Sequence, residues 1–475
     1  MTSPPPVPRS GLIVGVLAGA GIVVSLMQTL VVPLIGELPV LLDTTAADAS
    51  WVLTSTLLTA AVATPVFGRL GDLYGKRRIM LVCAALLTLG SLVCALSGSL
   101  VPVVAGRALQ GLGLPLIPLG ISVMRDVLPP ERLGSAMALM SSSLGVGGAL
   151  GLPLSATIAQ HADWHALFWL SSAAGAAIGV LLVTVVPESP IRARSRFDLP
   201  GALGLAAGLV CLLLAVSKGE DWGWGSGLTL GLLAATPIVL LLWGLWELRT
   251  PAPLVDLRVS AGRQVLLTNT ASVLIGFSMY AMSLVVIQLL QLPESTGYGL
   301  GQTMIQAGLW MAPGGLVMMA VSPVAARLIA ARGPKTSLVL GGLVISAGYA
   351  LALFLMNAPW QMLIASTLIS GGIGLAYAAM PALIMGAVPR TETAAANGLN
   401  SLSRSIGTSV SAAVIGVVLA HMTTPFGPVS APSEAGFRVA LGIGAGSALA
   451  AALVALGLPS RSTSPAAAEP VRTAA

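Results

Sequence analysis

The sequence predicts an all-α polytopic membrane protein of fourteen transmembrane helices: two six-helix halves, two additional helices between them, and both termini on the cytoplasmic side. Three observations carry this prediction. Of 475 residues, 56% are hydrophobic and only 8% are charged, too few polar groups to clothe a water-soluble chain of this size. Fourteen apolar runs approach the ~20 residues that a helix needs to cross a bilayer. The basic residues collect on alternate connections between those runs, as they do where cytoplasmic loops retain Lys and Arg.

The runs lie near 11–36, 50–68, 79–97, 100–124, 134–158, 165–186, 199–216, 226–247, 264–290, 302–326, 336–357, 359–384, 395–420 and 436–458. Helices are expected because a lipid-exposed backbone must satisfy its own hydrogen bonds. The first run continues past the length of a signal-peptide core without a small-residue cleavage pattern, so it reads as a retained span. With the N-terminus inside, 19 of the 23 basic residues fall on inner segments, Lys218 and Arg438 fall on outer connections, and Arg107 and Arg404 fall inside spans. Trp51, Trp164, Trp222, Trp224 and Trp360 mark the outer ends, as an interfacial aromatic belt would. Cys83, Cys94 and Cys211 sit singly in apolar runs, so no disulfide framework or metal site is legible. The net charge of +6 is accounted for by topology, with no nucleic-acid partner implied.

The densest charge is in "GRLGDLYGKRR" (68–78), read as the connection between spans 2 and 3. It has an echo in "ARLIAARGPK" (326–335) between spans 10 and 11, which sets Gly75 on Gly333 and Asp72 on Ala330. A second echo pairs "LPPERLGSAMALMSSSLG" (128–145) with "VPRTETAAANGLNSLSRSIG" (388–407) at a similar offset. Such repeats imply two related halves. The division expected is 1–190 for the first half, 191–259 for a basic linker and two extra spans, 260–458 for the second half, and 459–475 for a Pro-, Ala- and Ser-rich disordered cytoplasmic tail.

With these motifs, and with "RALQGLG" (107–113) and "PAPLVDLRV" (251–259), the chain resembles the major facilitator superfamily, in particular its fourteen-span drug:proton antiporter branch. The resemblance covers nearly the whole sequence. It implies that Asp72 sits against the N-terminal end of a helix in the other half, with Lys76 or Arg77 close to Asp126, so that the loop holds the transporter closed toward the cytoplasm. Gly68 and Gly75 permit the tight connection and close helix approach this requires.

Charge inside the membrane is costly and normally faces a cavity or a partner. Arg107 lies about seven residues into span 4, roughly 10 Å from the outer surface, at a depth comparable with "LMQTLVVPL" (26–34) of span 1. The resembling antiporters carry an acid there, whereas this sequence has Met27, followed by Gln28 and Thr29. Two readings of Arg107 stand: with Gln28 and Gln110 it binds a polar or anionic part of the substrate, or it bonds to backbone carbonyls and braces spans 1 and 4. Arg404 is expected to snorkel toward the inner interface. Glu37 and Asp126 are the carboxylates available to a proton, with His161 and His165 near the outer mouth. In span 5, Gly147 and Gly151 are spaced for close helix contact and Pro153 for a kink.

Polar and aromatic residues that interrupt spans expected to line the central cavity are Gln28, Gln110, Tyr280, Gln288, Gln306, Trp310, Tyr377 and Asn400. Interleaved with methionines, they suit an amphipathic organic molecule. No carboxylate cluster, phosphate cradle or nucleophile–base pair is present, so no metal or organic cofactor is expected. The expectation is a monomeric, multi-pass inner-membrane transporter, not an enzyme, that exports a lipophilic or cationic compound with the proton as coupling ion. The alternatives are a dedicated exporter of an endogenous metabolite such as an antibiotic or siderophore, and a membrane enzyme acting on lipid-linked substrates.

Overall fold

A computed structural model describes residues 10–31, 34, 37–426 and 429–459. Arg9, Arg461 and Arg472, and the expected tail apart from Ser460's neighbour Pro459, lie outside them. Among the described residues, fourteen helices are long and apolar enough to cross a membrane. They are α1 (Ser10–Thr29), α2 (Ala46–Tyr74), α3 (Lys76–Ala95), α4 (Leu100–Val127), α5 (Pro130–His161), α6 (His165–Val185), α7 (Leu199–Trp222), α8 (Gly227–Arg249), α9 (Arg263–Gln291), α10 (Met304–Arg332), α11 (Pro334–Phe354), α12 (Pro359–Ala387), α13 (Arg390–His421) and α14 (Glu434–Leu456). The all-α expectation omits one short feature between α13 and α14. There β1 (Thr423–Phe426) and β2 (Val429–Pro432) pair antiparallel, with Thr423 opposite Pro432, and the Tyr298 hydroxyl donates to the Pro432 carbonyl at 2.5 Å.

The charged motif is less of a loop than its composition suggests. α2 runs to Tyr74 and α3 begins at Lys76, so Gly75 alone, at φ +113°, separates two helices. Its echo behaves alike: α10 ends at Arg332, Gly333 has φ +82°, and α11 begins at Pro334. Only glycine takes such angles without strain. The cation two residues after each glycine does the same work in both halves. Arg77 donates to the Val183 carbonyl at the end of α6, and Lys335 donates to the carbonyls of Leu456 (2.8 Å) and Leu458 (2.6 Å) at the end of α14. Each cation thereby satisfies acceptors that a helix C-terminus leaves open.

Within lipid there is little hydrophobic drive between helices, so association relies on close packing of small residues. In the first half α5 lies on α1 through Gly147 and Gly151. A Cβ at Gly147 would come within 2.5 Å of Ser25, and one at Gly151 within 2.9 Å of the Thr29 Cβ. The Ser25 hydroxyl adds a hydrogen bond to the Leu144 carbonyl at 2.6 Å. Pro153 lies within the continuous helix α5.

The halves meet along α2 with α13 and along α5 with α10 and α12. Added Cβ atoms at Gly68 and Gly398 would lie 2.6 Å from the Ala394 carbonyl oxygen and 2.7 Å from that of Thr64, so the α2 and α13 backbones touch one turn apart. Gly145 and Gly315 play the same part where α5 crosses α10. The Gly68 and Gly398 contacts lie toward the membrane face that carries the basic connections, hereafter the basic face, and the Gly145–Gly315 crossing lies nearer the middle of the spans.

The two extra helices are not equivalent. α7 packs over the seam between α2 and α13, its Ala202, Leu205, Leu209 and Leu213 sharing a buried cluster with Ala61 and Leu402. At the opposite face Lys218, expected on a connection, lies in the last turns of α7 at 1% exposure. It donates to the Ala47 carbonyl (2.6 Å), to Asp221 (2.9 Å) and to the Ser50 hydroxyl, and stands 4.9 Å over the Trp51 ring. Of the two, α8 is the peripheral one, with few buried residues along its length.

The glycine argument is testable by thermal denaturation in detergent. Gly75→Ala should destabilise the protein by about 1–3 kcal/mol, because it forces an L side chain to positive φ and toward the Glu188 carboxylate 2.8 Å away. Gly134→Ala, in open space within α5, should be neutral or slightly stabilising.

Candidate functional site

The last turn of α2 places Asp72 at the junction of the halves. The carboxylate is 1% exposed. Its Oδ2 accepts from the Ala395 amide at 2.9 Å and its Oδ1 from the Ala394 amide at 3.3 Å. Those amides belong to the first turn of α13, where backbone N–H groups have no partner within the helix and the helix dipole is positive. The contact is therefore a negative side chain of one half capping a helix of the other.

Lys76, fully buried, supplies the counter-charge. Its Nζ lies 2.5 Å from Asp126 Oδ2 and 3.6 Å from Asp72 Oδ1. Of the two cations that the resemblance offers to Asp126, Lys76 is the one placed there. Arg77 is directed instead to the end of α6, with its amide 3.3 Å from Glu188, because a residue one position further along a helix points about 100° away. Arg77 thus serves its own half, a correction to its placement in the inter-half latch. Arg125, which the sequence reading missed, does cross: it donates to Thr393 Oγ1 (2.7 Å) and to the Val388 carbonyl (3.2 Å). The signal for it was its position beside Asp126 at the basic end of α4.

The linker after α6 ties into the same site. Ser189 Oγ donates to Asp126 at 2.5 Å, the Ala193 amide to the Asp72 carbonyl oxygen at 2.7 Å, and Arg69 to Ser195 Oγ at 3.2 Å. Beside it "PAPLVDLRV" folds inward at Leu254 and Val255, which are nearly fully buried, while Asp256 caps the short helix Leu257–Ser260. A cavity of about 280 Å³ lies between these segments, lined by Arg69, Arg194, Asp256 and Glu392. Two acids are buried at the basic ends of the extra helices. Asp198 accepts from the Gly201 amide at 3.0 Å and from Trp246, and Glu247, 2% exposed, accepts from the Val255 amide at 3.4 Å.

In the membrane interior the two arginines differ. Arg107 is 2% exposed and donates to the carbonyls of Val52 (3.1 Å) and Met27 (3.2 Å) and to Gln110 Oε1 (2.7 Å), while Gln110 donates to Ser91 (2.9 Å). This geometry is the brace of the second reading, with Met27 contributing its backbone carbonyl where the antiporters have a carboxylate. Gln28 is partly exposed and is not among the partners of Arg107.

Arg404 does not snorkel to the interface. Its guanidinium lies 5.0 Å over the Tyr377 ring and donates to Asn400 Oδ1 and Ser401 Oγ, both at 3.1 Å. The aromatic face and the two side-chain acceptors hold it within the protein. Asn400 in turn donates to Asn269 (2.9 Å) and Ser272 (2.7 Å), and Tyr377 donates to the Met279 sulfur (3.1 Å). The structure thus gathers Tyr377, Asn400 and Arg404.

The other residues expected to line the cavity are dispersed. Gln306 is exposed and completes a capping box with Thr303 at the start of α10, and Gln288 is exposed near the end of α9. Trp310 donates to Gln302 at 3.0 Å, and Tyr280 is partly buried. On the connection before α6, the His165 amide (2.8 Å) and ring hold Asp163 below the usual carboxylate range.

Because Lys76 is the shared counter-charge of two buried carboxylates, Lys76→Met should destabilise by about 3–5 kcal/mol, the cost of leaving buried charge uncompensated. Asp126→Asn, which leaves the Lys76–Asp72 pair intact, should cost less than half of that. Chemical denaturation in detergent compares the two. Equal losses would mean that Lys76 is held by Asp126 alone.

Comparison with known proteins agrees with this architecture. The family model described as Major Facilitator Superfamily matches residues 17–412. The chain is 30% identical over 384 residues to the tetracenomycin C resistance and export protein of Streptomyces glaucescens, covering 80% of this chain and 70% of that one. It is 29% identical over 375 residues to the multidrug resistance protein Stp of Mycobacterium tuberculosis (strain CDC 1551 / Oshkosh), covering 78% and 68%. The crystal structure of the human organic anion transporter MFSD10 superposes with a TM-score of 0.66 at 17% identity, covering 94% of this chain and all of that one, and shows the shared fold. The paired halves, the glycine-separated helices and the matched family model lead to one assignment: the chain belongs to the major facilitator superfamily, as a non-enzymatic, multi-pass transporter of the cell inner membrane.

Proposed function

We propose that the protein is a secondary active exporter of lipophilic organic compounds, working by alternating access as a single chain with the proton as coupling ion. The basic face is cytoplasmic in this reading. The observation that carries it is the contact of Asp72 with the first turn of α13. It joins the two halves through a few polar bonds at one membrane face, which is what a closure that must open and re-form requires. Two relatives named for export or multidrug resistance support the direction and the class of cargo. That one of them is named for a single compound favours, as a second reading, export of one specific metabolite. A cationic cargo has less support: among the described residues, the charged side chains midway along the spans are Arg107 and Arg404.

Charge-assisted hydrogen bonds contribute about 1.5–3 kcal/mol each. Asp72→Asn should therefore shift the balance between closed and open basic faces by at least about tenfold and slow turnover, without preventing membrane insertion. Alkylation of a cysteine introduced at Ala396 reads the first effect, and unchanged labelling together with normal turnover would refute the closure. Proton coupling is tested in liposomes with an imposed pH gradient. Substrate-dependent proton movement is expected, and transport indifferent to the gradient would remove the proton from the mechanism.

A further inference from the structure

We propose, building on the export reading, that the cargo is an aromatic organic anion whose negative charge is bound by Arg404. The helical run of α13 begins at Thr393. Arg404 is eleven residues further, about 16 Å along the axis at 1.5 Å per residue, near the middle of a hydrocarbon core about 30 Å thick. A cation at that depth requires compensation, and the manner of compensation distinguishes Arg404 from three other cations held within the protein.

Lys76 has two carboxylates within 4 Å, and Lys218 has Asp221. Arg107 is sealed at 2% exposure by carbonyl oxygens and Gln110. Arg404 makes two hydrogen bonds to neutral side chains, of five N–H groups available, and remains partly exposed. Among the described residues no carboxylate forms an ion pair with it. It therefore keeps both a full positive charge and unused donors.

The surroundings are organised for a ligand. The ring of Tyr377 and the side chain of Asn400 are each fixed from behind, by Met279 and by Asn269 with Ser272, so the guanidinium is held in place before anything binds. Tyr377 also stands on the seam between the halves, since its carbonyl oxygen accepts from Ser141 of α5 at 2.9 Å. A ligand on Arg404 is thus in contact with the elements that move. A guanidinium fork pairs with a carboxylate, sulfonate or phenolate through parallel N–H···O bonds, and planar groups stack on its face. Met279, whose sulfur accepts from the Tyr377 hydroxyl, adds an apolar side chain beside the aromatic ring for a flat hydrocarbon body. An organic cation would meet uncompensated like charge in a low-dielectric setting.

Liposomes carrying the protein test this with two dyes of similar size, fluorescein as the aromatic anion and ethidium as the aromatic cation. Faster efflux of fluorescein is expected. Arg404→Gln should lower fluorescein transport at sub-saturating concentration at least tenfold, and Arg404→Lys should retain a part of it with a raised KM and a smaller change in kcat. Transport of ethidium without fluorescein would overturn the anion assignment while leaving export intact. Undiminished fluorescein transport by a monodisperse Arg404→Gln protein would overturn the role of Arg404. If neither dye moves, the export reading fails for such compounds, and fluorescence anisotropy of fluorescein with the detergent-solubilised protein decides the site: binding lost in Arg404→Gln supports it, and no binding to the unaltered protein overturns it. Should Arg404→Gln not fold, the Arg404→Lys comparison stands alone, and identical KM values would overturn the proposal.

Discussion

The fold depends on how buried charge is satisfied at the basic face. Asp72 could not remain ionised at 1% exposure without compensation, and it finds it from two directions: two backbone amides of α13, and Lys76 at the start of α3. Desolvating the carboxylate is costly, and the positive end of a long helix offsets part of that cost at short range. Lys76 and Asp126 complete the arrangement, and they bring the basic ends of α2, α3 and α4 into register with the start of α13. Among the described residues, the hydrogen bonds that the other half gives to this site come from its backbone and the Thr393 hydroxyl, beside apolar packing of Met385 and Ala394.

Close backbone approach makes those bonds reachable. Gly68 lies against the Ala394 carbonyl one turn before Asp72, and Gly398 lies against Thr64 one turn further along. A side chain at either position would hold the helices apart by more than the 2.9 Å bond between Asp72 and Ala395 tolerates. Glycine thus acts twice in the same motif, by lateral contact at Gly68 and by backbone conformation at Gly75. α7 covers this seam from the lipid side, anchored to α2 by Lys218 at one end and by apolar packing along its length.

Much of this architecture was legible because it follows from solvent. Fourteen apolar runs and the alternation of basic residues need only the length of a helix and the preference of cations for one side of a membrane. The glycines at 75 and 333 could be aligned from the repeat, and their shared conformation follows from that alignment. Side-chain direction was not legible. Arg77 and Lys76 are neighbours in sequence and point to different partners, which only helical phase decides. Gln306 reads as an interruption of an apolar span, yet it caps the helix that the span begins, since Thr303 lies three residues before it. Lys218 and Arg404 were misjudged for a related reason: hydropathy places a charge near or away from a boundary, but an aromatic face such as Trp51 or Tyr377 can retain it inside. The α7 packing was invisible because its apolar residues satisfy lipid and protein equally.

The repeat also leaves a deliberate inequality. The position that corresponds to Asp72 in the second half is Ala330, so only one half carries the acidic side chain and the other answers with peptide N–H groups. A peptide N–H is supplied by every residue except proline. The demand on positions 394 and 395 is therefore for small size, Ala394 being fully buried and Ala395 8% exposed, and not for side-chain chemistry, whereas position 72 has no substitute of equal charge and reach. Selection on how readily the two halves part can act through one codon on one side of the molecule, and an internally duplicated protein has in this respect lost its symmetry.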